Sequence, residues 1–164
     1  LSANKWGESH KKERDLALKH LKEELSHDQL LINDLKVFGI NVSDYFEWPE
    51  TQAFYQTQYY WIEHVNPHSF FGYILCLEVF AITGAKQIYD KVLKLYGEKA
   101  SLFLKVHVHE DLDHVDKALK ELETFSDEEL DLIERNLKLS CHLYGKIYES
   151  IQARYQSKED KMAS

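Results

Sequence analysis

Apolar residues in this chain recur at intervals of three and four, and little interrupts them: 164 residues hold two prolines and six glycines. Strand-like alternation is absent, so the spacing predicts an all-α domain. The few breaks divide it into about six helices. The first runs from about residue 8 to 38 and stops at Gly39. The second begins near Pro49 and ends before Asn66-Pro67. A third covers about 67–83 with Gly84 as its stop, a fourth about 85–96 with Gly97 as its stop, and a fifth about 98–124. Ser126-Asp127-Glu128-Glu129 is a capping-box pattern that opens a sixth. Along it Leu130, Ile133, Leu137, Ser140, Tyr144, Ile147 and Ile151 form a packing seam. A polar tail from Ser157 is expected to fray. Residues 1–164 therefore read as one helical bundle, and the start at Leu1 rather than Met leaves room for a preceding helix.

Composition narrows the function classes. A formal charge of −8 argues against a nucleic-acid backbone as partner. Cys76 and Cys141 stand far apart in sequence, which excludes a disulfide scaffold or a cysteine zinc ribbon. Reduced cysteines in an acidic chain without a visible signal peptide suggest the cytoplasm. The longest apolar run, about 70–82, carries Glu78 and is too short to span a bilayer, so no membrane is expected. What stands out is nine histidines beside an acid excess.

The fifth helix concentrates them in His107-Val108-His109-Glu110-Asp111-Leu112-Asp113-His114. On a helical wheel Leu104, Val108, Leu112, Val115, Leu119 and Leu122 define the apolar arc. His107, Asp111 and His114 fall at that arc with Ala100 and Ala118, whereas His109, Glu110 and Asp113 fall opposite, on a solvated face. A carboxylate buried between two imidazoles needs a hydrogen-bond network or a metal, because unpaired burial costs several kcal/mol. Imidazole with carboxylate suits iron, manganese or zinc better than calcium.

Glu78 is the only charged residue between His68 and Lys86, with Ile74, Leu75, Ala81 and Ile82 as its helical neighbours. It is protonated, half of a buried ion pair or a metal ligand, and no lysine or arginine lies in the apolar stripes. The first helix carries His20, Glu24 and His27 at i, i+4, i+7, on the side that also holds Glu13 and Asp34. Glu24-x-x-His27 repeats a spacing used for di-metal ligands in bundles. His20 reads as a ligand, a supporting group or a core histidine bonded to Asp34 or Glu24. Core packing is the simpler reading of each of Tyr55, Tyr59, Tyr60, Trp61, Phe70, Phe71 and Tyr73, and a substrate pocket the sharper one.

The His-x3-Asp-x2-His run of His107, Asp111 and His114, with Glu78 about thirty residues upstream and the His20-to-Gly39 text before it, resembles the haem-oxygenase-like di-iron oxidases. These share a superfamily with the TenA proteins and the chlamydial death-domain-associated protein. The resemblance covers most of residues 16–119. It implies a haem-oxygenase-like bundle of six to seven helices and two iron ions, with manganese as a substitute. It implies dioxygen as co-substrate and a small organic molecule as substrate. The ligands it implies are Glu24, His27, Glu78, His107, Asp111 and His114, and a homodimer is compatible with it. The family pattern has a glutamate seven residues before the first-helix histidine. Registration on His27 puts His20 there, and registration on His20 puts Glu13 there, so the first-helix carboxylate is Glu24 or Glu13. Two alternatives compete: a TenA-like hydrolase using Cys76 or Cys141 as nucleophile, and a non-catalytic helical protein that binds a metal or a partner.

Overall fold

A computed structural model describes the backbone of residues 11–163 and the side chains of these except 12, 13, 16, 17, 20, 23, 110–114 and 157–163. The described residues form helices and turns joined by short loops. Their order is α1 (Lys11–Glu23), α2 (His27–Val37), α3 (Pro49–Tyr60), α4 (Phe70–Phe80), α5 (Lys86–Tyr96), α6 (Leu102–Leu122) and α7 (Asp127–Ala163). The all-α architecture expected from the periodicity is what the chain adopts.

Two expected boundaries change. The first helix is not continuous: it breaks after Glu23, turns through Glu24 and Ser26, and restarts at His27. Ser26 takes φ +78°, a left-handed conformation that costs a non-glycine residue roughly 1–3 kcal/mol. His20 and His27 therefore lie on different helices, not on one stripe. Conversely, Gly84 stops nothing. A π-turn at Ala81–Ala85 carries α4 into α5, and Pro67–Tyr96 becomes one helical run of 30 residues. That run is long and apolar enough to cross a membrane by length and composition, which the shorter sequence segment was not. Half of its most apolar window is buried inside the protein. Gly84 is accommodated for packing: a Cβ there would stand 2.8 Å from the Phe80 ring.

The core lies where α4 meets α7 and α6. Phe71, Leu75, Ala118 and Ile133 are buried together, with Leu122, Phe125 and Leu137 packed around them. Gly72 sets the spacing, because a Cβ at that position would lie 2.4 Å from the Ile133 carbonyl oxygen and 2.5 Å from the Leu137 nitrogen. The two helices run parallel, with rungs four residues apart on α4: Gly72 against Ile133 and Leu137, Cys76 against Cys141, Phe80 against Tyr144 and Tyr148. Just before α4, His68 bonds Glu129. On the other side α3 runs antiparallel to α7. The buried Gln58 donates to Ser140 and accepts from Asn136, and the Arg154 guanidinium covers Trp48.

The capping box forms as expected. The Ser126 N–H donates to the Glu129 carboxylate and the Glu129 N–H to the Ser126 hydroxyl. Burial pushes the Glu129 carboxyl up, but the Ser126 N–H and hydroxyl and the His68 ring outweigh it and hold it below the ordinary carboxylate value. Leu119, assigned to the apolar arc of α6 by the wheel, is half exposed, whereas Val115 and Ala118 are buried.

Candidate metal centre

The break between α1 and α2 faces the first half of α6, and there three ligating side chains converge. Glu24, His27 and His107 each offer an atom within 4.8 Å of the other two, close enough together to hold a metal ion. His27 Nδ1 lies 2.8 Å from Glu24 Oε2, and His107 Nε2 lies 3.8 Å from the same oxygen. The two imidazoles meet edge to face with centroids 5.0 Å apart. None of the three is sealed off: their side chains are 31%, 16% and 19% exposed, enough for a small solute to reach them.

Local structure explains why these atoms face one another. Glu24 stands in the turn before α2, and the His27 N–H bonds back to its carbonyl, so three residues bring its carboxylate onto His27. On α6, His107 Nδ1 donates to the Phe103 carbonyl at 2.9 Å. A carbonyl only accepts, so Nδ1 carries a proton and the ring is oriented with Nε2 on the side facing Glu24.

The spacing of α2 and α6 has its own fastening. Ser101 precedes α6 but its hydroxyl turns back to Gly97 and Glu98 and leaves the new helix uncapped. Asp34 supplies the cap instead, from α2, accepting the Phe103 N–H at 2.9 Å. Asp34 is buried, and its second oxygen has no hydrogen-bond partner among the described residues. One carboxylate thus ties α2, two turns after His27, to the first turn of α6, one turn before His107. The sequence showed Asp34 on the ligand side of its helix but not its partner, which lies 69 residues away.

Of the other expected ligands, Glu78 is buried in the last turn of α4, as the apolar run around it implied. Asp111 and His114 follow His107 on α6, but their side chains, and those of His20 and Glu13, lie outside the described residues. His109 is exposed, as the wheel assigned it. Several of the aromatic candidates pack against other rings: Phe70 stacks on Tyr73, Tyr73 meets Phe54 at a tilt, and Phe71 meets Phe125 edge to face. Tyr59 and Tyr60 are exposed.

A carboxylate with two imidazoles, one already oriented through its far nitrogen, fits iron or manganese. The chain matches the pattern of the iron-containing redox enzymes over residues 7–144, and it belongs to that family. Membership makes it a redox protein of an iron-containing kind, and the Glu24, His27 and His107 group is a candidate place for the iron. No curated protein and no solved structure matches it.

Proposed function

We propose that this chain is a non-haem di-iron oxidase or oxygenase that uses dioxygen to oxidise a small organic substrate. The observation that carries the reading is the convergence of Glu24 from the turn before α2, His27 from α2 and His107 from α6 in a family of iron-containing redox enzymes. In this reading Glu78, Asp111 and His114 would complete the ligand set, so that three carboxylates and three imidazoles would hold the iron. Ferrous iron bound there supplies the electrons that reduce dioxygen. The chain's own residues do the rest: the Phe103 carbonyl fixes the His107 tautomer, Asp34 holds α2 on α6, and Glu24 stands between the two imidazoles.

The cysteine-hydrolase alternative finds no support at Cys76. Burial first, and the contact with Cys141 second, push the Cys76 thiol up to about 12, away from an activated nucleophile. The substrate, a cytoplasmic setting, a homodimer and the absence of nucleic-acid or membrane partners belong to the proposal. Within it, Pro67–Tyr96 is a core helix. Anaerobic reconstitution with ferrous iron, metal analysis and an oxygen electrode test the reading. About two irons per chain and dioxygen uptake are expected. One iron per chain reduces the site to a mononuclear centre, and no metal uptake refutes it.

A further inference from the structure

The chain holds two cysteines, and the parallel crossing of α4 on α7 puts them together. Their sulfurs are 3.6 Å apart, although 65 positions separate them in sequence. Cys76 is buried and Cys141 exposed, so one thiol lies beneath the other and solvent reaches the upper one. The arrangement is set by backbone. Gly72, one turn before Cys76, admits the α7 main chain at Leu137, one turn before Cys141. Equal steps along two parallel helices then bring the cysteines opposite each other. A disulfide has its sulfurs about 2.05 Å apart, so closure needs about 1.5 Å of movement, within reach of two side-chain rotations and a slight shift of α7.

We propose that Cys76 and Cys141 form a two-electron redox site, a dithiol that a peroxide closes to an α4–α7 disulfide. The exposed Cys141 thiolate attacks one oxygen of hydrogen peroxide. The O–O bond breaks, leaving Cys141 as the sulfenic acid and releasing hydroxide, which takes up the thiol proton as water. The Cys76 sulfur then attacks the Cys141 sulfur. The S–O bond breaks, and the hydroxyl leaves with the Cys76 proton as a second water. Two thiols are oxidised to one disulfide and one peroxide is reduced to two waters. Neither step involves the iron ligands, so the inference stands apart from the proposed function.

The test treats the full chain, as purified, with one equivalent of hydrogen peroxide, then blocks free thiols with N-ethylmaleimide under denaturing conditions. The expected product is a single chain lighter by two hydrogens, unblocked at both cysteines, with a peptide joining Cys76 to Cys141 that dithiothreitol separates. Cys76→Ser should halt at a sulfenic acid on Cys141 that dimedone traps, and Cys141→Ser should leave Cys76 reduced. The proposal is overturned if the wild-type chain takes up oxygen on Cys141 while Cys76 remains open to blocking. Disulfides found only between Cys141 residues of two chains overturn it as well. Both readouts are taken on the wild-type chain, so they hold even if a variant fails to fold.

Discussion

The α4–α7 crossing and the α2–α6 corner are held together in opposite ways. Where α4 meets α7, helix backbones touch through Gly72 and apolar side chains close the interior, and on the far side of α7 the buried Gln58 of α3 pairs with Asn136 and Ser140. At the α2–α6 corner the facing groups are charged or imidazole, they are partly open to solvent, and a left-handed serine starts the second helix. One side gains its stability on folding. The other keeps ligand groups together that a cation would bind. A bundle that carries a metal needs both, because close packing elsewhere compensates for a corner that packs poorly by itself.

Substitutions that strike one region and spare the other sharpen this contrast. The largest effect is expected for Gly72→Ala. Its Cβ meets main chain, which cannot rotate away, and the loss should be about 3 kcal/mol in a urea melt. The iron content of the folded fraction should stay unchanged. An equal loss of iron would show that the two regions are one unit. His107→Ala should do the reverse, lowering ferrous-iron affinity by about 100-fold or more in a metal titration with little change in the metal-free melt. His109→Ala, on the exposed face of the same helix, should leave affinity where it was.

Asp34→Ala tests the link between the regions. Loss of the cap on α6 should cost about 1 kcal/mol. If Asp34 also sets the His27–His107 spacing, iron affinity falls with it, and Asp34→Asn, which keeps an acceptor, restores part of both.

The smallest effect is expected in acid. The folded-state Glu129 carboxyl lies below its unfolded value, so its contribution is complete above the ordinary carboxylate value of about 4.3 and is lost as pH falls through the lower folded value. A pH series of melts on Glu129→Gln should show a flatter acid limb than the wild type. An unchanged limb would remove the His68–Glu129–Ser126 group from the account of how α7 begins.

Much of the fold was legible because its signals are local. The capping box at Ser126, the buried position of Glu78 and the inward face of His107 follow from spacing along one helix. The break at Ser26 was not legible. The apolar spacing passes through it without a glycine or proline to mark it, and only the packing of α2 on α6 requires the turn. Gly84 misled in the other direction: glycine signals a stop, but here its missing side chain makes room for the Phe80 ring. His68 had no assigned role because its partner, Glu129, lies 61 positions away.

The sequence by itself determined that this chain is helical, which helix faces turn inward, and which residue types can bind iron. Helix periodicity and side-chain chemistry are properties of neighbours along a chain. The tertiary structure alone decided which of those residues meet: Glu24 and His27 with His107, Asp34 with the start of α6, and Cys76 with Cys141. Each of those meetings depends on the register between two helices. That register is set by the contact of whole surfaces, such as Gly72 against the α7 backbone, which no stretch of sequence contains.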